Sequence, residues 1–164
     1  MTPHALRTDR LMLEPLRREL AQAIASGARD VDWAPGFPQE GDVSIARLVL
    51  AADEADAGDG SIWGPWEVRT ARGALIGTAG FQGPPREGEV EIGYGIAPEQ
   101  RGRGLASEAV GALLEVARSA GASATMARVD WENAASRHVL DRHRFRVVGG
   151  PDPTGLLTMR RDLL

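Results

Sequence analysis

The chain has 164 residues, 43% of them apolar, which suits one domain with a single sizeable core and leaves no room for a second. It has no cysteine, which excludes disulfides, thiolate catalysis and cysteine-bound metal, and its three histidines, His4, His138 and His143, are too scattered to argue for a metal. A net charge of −4 lacks the basic excess that general nucleic-acid binding shows, and neither a long apolar run nor a charged-then-apolar leader is visible. The expectation is a cytoplasmic protein with neither nucleic acid nor membrane as partner. All nineteen cationic side chains are arginine, so a lysine Schiff base is excluded too.

Leu6 to Leu16 reads as a first strand, Leu11 and Leu13 alternating with Met12 and Glu14. Arg18 to Ala28 carries the narrow apolar stripe of a helix, with Gly27 near its end. The following loop, Asp32 to Asp42, holds Trp33, Pro35, Phe37 and Pro38; it either shapes a substrate site or lays its aromatic rings over the core. Asp42 can cap a second helix running to about Ala57, burying Ile45, Leu48, Val49 and Ala52. Ile62 to Arg69 and Ala74 to Phe81 then read as antiparallel strands joined at Ala71-Arg72-Gly73, and a turn from Gly83 to Gly88 leads into a third.

That third strand opens the most informative stretch, Glu89 to Ala109. Val90, Ile92, Tyr94 and Ile96 alternate with Glu89, Glu91, Gly93 and Gly95, the period-2 pattern of a half-buried strand, and Pro98 ends it. After Gln100-Arg101-Gly102-Arg103-Gly104-Leu105-Ala106 the spacing turns helical, with Leu105, Ala109, Leu113, Val116, Ala117 and Ala120 on one side. The glycines therefore stand at the mouth of a helix. Free N–H groups and the positive end of the helix dipole make an anion site there, and Arg101 and Arg103 add forked donors that match phosphate oxygens. Neither common nucleotide motif fits: no third glycine follows at Rossmann spacing, and a P-loop requires a lysine.

Gly121 is a natural cap for that helix, and Thr125 to Val129 a strand that must lie parallel to the central one, because a strand-helix-strand crossover is right-handed. If the pair diverges at a bulge permitted by Gly93 and Gly95, an extended arm bearing amides can enter between the two strands as an added strand would. Asp130 to Ser136 opens a further helix that buries Val139 and Leu140, and Phe145 to Val148 and Leu156 to Leu163 complete the sheet. No internal repeat is present.

The stretch Gln100-Arg101-Gly102-Arg103-Gly104, opening into Leu105-Ala106, resembles the acyl-CoA motif of the GCN5-related N-acetyltransferases (GNAT). Glu91-Ile92-Gly93-Tyr94, Leu6-Arg7-Thr8-Asp9-Arg10-Leu11 and Asn133-Ala134-Ala135-Ser136 resemble the RimJ/RimL-type branch in particular. The resemblance spans most of the chain. It implies one α/β (α+β) domain over residues 1–164: a mixed, mostly antiparallel sheet of six to seven strands, its central parallel pair splayed at a bulge, flanked by about four helices. It also implies acetyl-CoA as co-substrate, no metal, and direct acetyl transfer to an amine, either a protein amino terminus or a small molecule; a homodimer is compatible with it.

On this resemblance Gln100, Arg101, Gly102, Arg103, Gly104, Leu105 and Ala106 hold the coenzyme's diphosphate, while Ile96 and Ala97 offer backbone N–H groups to pantetheine and the oxyanion. Asn133 contacts pantetheine, or simply caps its helix. Many relatives carry a tyrosine as proton donor where this chain has Leu140, so Ser136 is the candidate donor to the departing thiolate. Glu91, or alternatively Glu89, is the candidate to take the amine's proton directly or through water; the competing reading of either is a surface carboxylate paired with arginine. Arg144 stands where a glycine is usual, which predicts an altered or strained turn, and the cluster Arg137, Arg142, Arg144 and Arg146 reads as a solvated helix end rather than a phosphate or RNA contact. The alternative function is a non-catalytic acyl-CoA-binding module.

Overall fold

The computed structural model describes residues 5–30, 32–52 and 61–164. Among the described residues eight strands form one sheet in the order β1-β2-β3-β4-β5-β6-β8-β7. They are β1 Leu6–Arg7, β2 Leu11–Pro15, β3 Pro65–Thr70, β4 Leu75–Phe81, β5 Glu89–Ile96, β6 Ala124–Asp130, β7 Arg146–Gly149 and β8 Leu156–Asp162. The helices are α1 Arg18–Ala25, α2 Glu40–Ala51, α3 Leu105–Ser119 and α4 Ala134–Arg142, with one 3-10 turn at Pro98–Gln100. All neighbours pair antiparallel except β5 and β6, as the crossover through α3 requires.

The sheet has one strand more than the expected maximum because Leu6 to Leu16 is two strands. Thr8 breaks it: its Oγ1 accepts the N–H of Leu11 at 3.0 Å, turning the chain so that Leu6 pairs with Leu13. The second helix starts earlier than expected. Gln39 is its N-cap, and Asp42 sits one turn in, accepting the backbone N–H of Gln39 at 2.8 Å in a capping box. The expected end of that helix near Ala57 lies outside the described residues.

The two sheet faces carry different helices. Val68, Ile92 and Ile96 share a core with Leu105, Ala109, Val110, Leu113, Leu114 and Ala117 of α3. Burying each Leu or Val of that stripe contributes about 1.5–3 kcal/mol. On the other face α2 is tied down by a buried hydrogen bond, Thr78 Oγ1 to the Asp42 carboxylate at 2.7 Å. The loop carrying Trp33 and Phe37 packs here as well: Phe37 is fully buried beside Ala21, Ile24 and Ala46, and Trp33 meets it edge-on at 5.3 Å. That loop's aromatic pair therefore serves the core.

Helix ends explain Arg144. In α1 and α3 the residues after the C-cap, Gly27 (φ 74°) and Gly121 (φ 88°), are left-handed and close paired 6→1 and 5→2 hydrogen bonds. α4 ends in the same pattern, Phe145 N–H to the Leu140 carbonyl and Arg144 N–H to that of Asp141, but with Arg144 at φ 62°. A left-handed non-glycine residue costs about 1–2 kcal/mol, against about 0.5–1 kcal/mol for the extra freedom glycine brings to the unfolded chain. Arg144→Gly is therefore expected to stabilise the fold by about 0.5–1 kcal/mol, read as a higher urea midpoint at unchanged slope.

Candidate active site

β5 and β6 stay paired only from Glu89 with Ala124 to Ile92 with Ala127. Beyond that point β5 continues along β4 to Ile96, with no shift in register, while β6 continues along β8 to Asp130. Hydrogen bonds of β5 alternate between its neighbours. The N–H of Ala97 goes to the Ile76 carbonyl at 2.7 Å, and the Glu91 carbonyl accepts from Gln82, so odd-numbered residues face β4. The N–H groups of Tyr94 and Ile96 consequently face the gap where β6 has moved away. Ala97 is thereby corrected as a donor: β4 already uses its N–H. The Ile96 carbonyl on the gap side accepts Arg101 Nε at 2.9 Å.

A cleft of about 500 Å³ runs through this gap, between the first turn of α3 and α4. Tyr94, Gly95 and Ile96 line it at one end; Gln100, Arg101, Gly102, Gly104, Leu105, Ala106 and Ser107 line it at the other. Gly102 (φ 76°) and Gly104 (φ 78°) are both left-handed, and Gly104 is the N-cap, so the opening N–H groups of α3 have no helical partner. From α4 come Asn133, Ser136, His138 and Arg142. Asn133 caps that helix, its Oδ1 accepting from Ser136 N at 3.1 Å, which leaves its side-chain N–H₂ available. Arg103, expected as a phosphate ligand, does not line the cleft; its carbonyl accepts from Arg10 instead.

A second cleft, of about 320 Å³, lies on the α2 face, between that helix and β4 and β5. Asp42, Thr78, Gln82 and Gly93 line it, and it shares Tyr94, Gly95, Ile96 and Arg101 with the first. Tyr94 is thus part of the wall between two cavities, rather than the plain core residue its strand pattern suggests. Its hydroxyl donates to the Ser136 carbonyl at 3.0 Å, and burial pushes the phenol up to about 12, against the smaller pull of that hydrogen bond. Asp42 is also raised by burial, opposed by its hydrogen bonds from Thr78 and Gln39. Neither residue was visible as a site residue in the sequence, since Tyr94 alternates like its neighbours and Asp42 reads as a cap.

The two expected bases are placed differently. Glu89 is paired with Arg160 at 3.0 Å. Glu91 lines neither cleft; it lies two residues before Gly93 on the same strand face. Of the arginine cluster only Arg142 reaches a cleft: Arg137 donates to the Trp131 carbonyl and Arg146 pairs with Asp162. Among the described residues no group of acidic or histidine side chains could hold a metal, and no helix is long and apolar enough to cross a membrane.

The Acetyltransferase (GNAT) domain family matches residues 10–146. The chain belongs to the GNAT acetyltransferase family. Among solved structures, a protein of Bordetella pertussis assigned to the GnaT acetyltransferases is 27% identical, with TM-score 0.71 over 97% of this chain and 99% of its own. RimJ of Mycobacterium smegmatis, solved with CoA-disulfide, is 22% identical, with TM-score 0.66 over 93% and 81%. RimL, a ribosomal L7/L12 α-N-protein acetyltransferase solved with coenzyme A, is 16% identical, with TM-score 0.69 over 97% and 98%. No curated protein sequence matches. In this GNAT domain Leu140 is 1% exposed, a core residue with no proton to give.

Two contacts fix the GNAT glycine turn. Glu108, in the first turn of α3, receives the Arg10 backbone N–H at 2.7 Å, Arg10 Nε at 2.8 Å and the Thr8 hydroxyl, while Arg10 Nη1 donates to the Arg103 carbonyl at 2.6 Å. Partial burial pushes the Glu108 carboxyl up, but these hydrogen bonds and the Arg10 charge together hold it below the usual range. Behind the turn, His143 Nε2 lies 2.7 Å from the Ser107 carbonyl, joining α4 to α3; burial pushes its pKa down against that bond, and the Arg161 and Arg142 charges push the same way.

Because the folded pKa of Glu108 is depressed, its contribution is complete above the unfolded carboxyl's value of about 4.3 and is lost as pH falls through the folded value. Glu108→Gln should cost about 2 kcal/mol at pH 7 in urea unfolding. The gap between wild type and variant should narrow on acidification through that window; a gap independent of pH would contradict the ionic role.

Proposed function

We propose that this chain passes the acetyl group of acetyl-CoA directly to a primary amine in a ternary complex. The observation that carries this is the parting of β5 from β6 with the Gly102 and Gly104 turn at its mouth: one continuous cleft offering strand-like donors at one end and bare helix N–H groups at the other. The coenzyme's diphosphate docks on the N–H groups from Gly104 to Ser107, with Gln100, Arg101 and Arg142 around it. A pantetheine amide carbonyl accepts from the free N–H group of Ile96, and the arm's other amide pairs with the Asn133 side chain. The acetyl carbonyl then lies by the Tyr94 N–H, farther from the diphosphate along β5, which stabilises the oxyanion as the tetrahedral intermediate forms.

The amine enters from the α2-face cleft. Its nitrogen attacks the thioester carbon, its proton passes through an intervening water to Glu91, and the C–S bond breaks with the Ser136 hydroxyl donating a hydrogen bond to the departing thiolate, which takes its proton from solvent. The water is needed because Glu91 lies one residue pair from Gly93, roughly 7 Å along the strand at about 3.4 Å per residue. Tyr94 serves as a positioning residue: its bond to the Ser136 carbonyl holds α4 across the gap. RimL, as an α-N-protein acetyltransferase, makes an N-terminal amine one acceptor to test beside small amines.

Thiol release from acetyl-CoA, measured over small amines and amino-terminal peptides, tests the proposal. Ser136→Ala and Glu91→Gln are each expected to lower kcat about 10²-fold at neutral pH, and the Glu91→Gln deficit should shrink as pH rises towards the amine's own pKa. Tight CoA binding with no turnover of any amine would instead identify a non-catalytic acyl-CoA-binding module.

A further inference from the structure

The α2-face cleft is lined by a carboxylate that lies almost wholly out of water: Asp42 is 3% exposed. Its Oδ1 accepts from the Thr78 hydroxyl at 2.7 Å and its Oδ2 from the Gln39 N–H at 2.8 Å, so the groups that hold it in place are neutral. Among the described residues no arginine or histidine forms an ion pair with it. Arg101 lines the same cleft, but its Nε is engaged by the Ile96 carbonyl. A carboxylate has about four acceptor sites, and a charge taken out of water costs free energy until an opposite charge meets it. Helix capping therefore accounts for where Asp42 sits and leaves its charge unmatched.

Strand register places this charge relative to the reacting centre. Thr78 pairs with Gly95 and Gly80 with Gly93, and because Thr78 reaches Asp42 on α2, both pairs face that helix. Two bare glycines of β5 thus lie between Asp42 and the strand gap. Neither is left-handed, and among the described residues nothing comes closer than 3.6 Å to a Cβ placed on either. The floor is open. Asp42 is bonded to β4, on one side of β5, whereas the acetyl carbonyl lies off the gap edge on the other. With strands about 4.8 Å apart and a bonded carbonyl carbon about 4 Å beyond its donor, the two are separated by roughly 8 Å. A nitrogen within about 3 Å of each spans only roughly 6 Å, so one nitrogen does not serve both.

The reacting nitrogen must also lose its charge, while a carboxylate fixed beside a cation keeps that cation charged. We infer that the acceptor is a small diamine, and that Asp42 seats its second, non-reacting ammonium about three carbons from the primary amine that takes the acetyl group. This rests on the amine-transfer reading above and narrows its acceptor. Asp42 is then a specificity-determining residue, in contact with the acceptor and remote from the transferred group. A neutral tail leaves the carboxylate unmatched, and an anionic one is repelled by it.

The experiment compares kcat/KM by thiol release for amines that share a propyl arm and differ in its end: 1,3-diaminopropane, butylamine and 4-aminobutanoate. The diamine is expected to lead butylamine by at least ~10-fold, through KM, as one charge-assisted hydrogen bond gives, with 4-aminobutanoate last. Asp42→Asn should bring the diamine and butylamine within about twofold of each other, and a ratio taken on one preparation does not depend on the fraction folded. Thr78→Val, which loosens α2 but keeps the charge, should lower the urea midpoint and retain the preference. Equal rates for the diamine and butylamine, or a preference that survives Asp42→Asn, would overturn the inference. Should no amine turn over, calorimetry of the diamine against butylamine with CoA-saturated protein still decides it. Tighter binding of the diamine, lost in Asp42→Asn, supports the seat and places the failure in the transfer reading, whereas equal or absent binding of the two refutes it.

Discussion

Two neighbouring strands that stop pairing halfway along open the cleft that runs between the first turn of α3 and α4. β5 and β6 share hydrogen bonds up to Ile92 and Ala127, and each then follows its outer partner, β4 or β8. The backbone groups released between them form an internal edge, protected from other chains by lying inside the sheet rather than at its rim. A groove with ready-made main-chain donors needs no particular side chain, so the surrounding sequence is free to vary. What it does need is a stop, given by Pro98 after β5, and something to hold the far wall, given by the Tyr94 hydroxyl on the Ser136 carbonyl.

The anion turn at the groove's mouth depends on contacts far away in the chain. Gly102 and Gly104 adopt left-handed backbone that any glycine permits, but free permission is not order. Order comes from Arg10, which reaches both the Arg103 carbonyl and the Glu108 carboxylate, and from Thr8 on the same carboxylate. The opening segment of the chain thus holds the glycine turn in place, although it lines neither cleft.

Much of the fold could be read from residue order. The period-2 pattern of Glu89 to Ile96, the switch to helical spacing at Leu105 and the crossover rule placed the parallel pair and the start of α3 correctly. Arg144's strained turn was legible as well, because the position is one where backbone geometry dictates glycine. What residue order does not carry is tertiary. Whether Ala97 offers its N–H depends on which neighbour that strand residue faces, a pairing phase that periodicity cannot supply, and whether Arg103 lines a cleft depends on how its turn packs against Arg10. Tyr94 and Asp42 were hidden in the same way: one looks like core and the other like a cap, and both are, while also lining cavities formed by elements distant in sequence.

The clefts that meet at Tyr94, Gly95 and Ile96 are reached from different sides of the sheet, one beneath α3 and α4 and the other beneath α2. Neither occupant must pass through the other's seat. With donor and acceptor seated as proposed, geometry imposes no queue: the two can load in either sequence, and double-reciprocal velocity lines for such an arrangement converge instead of running parallel. Any ordering found in solution has to originate in one ligand tightening the shared wall for the other, an energetic coupling rather than a blocked entrance.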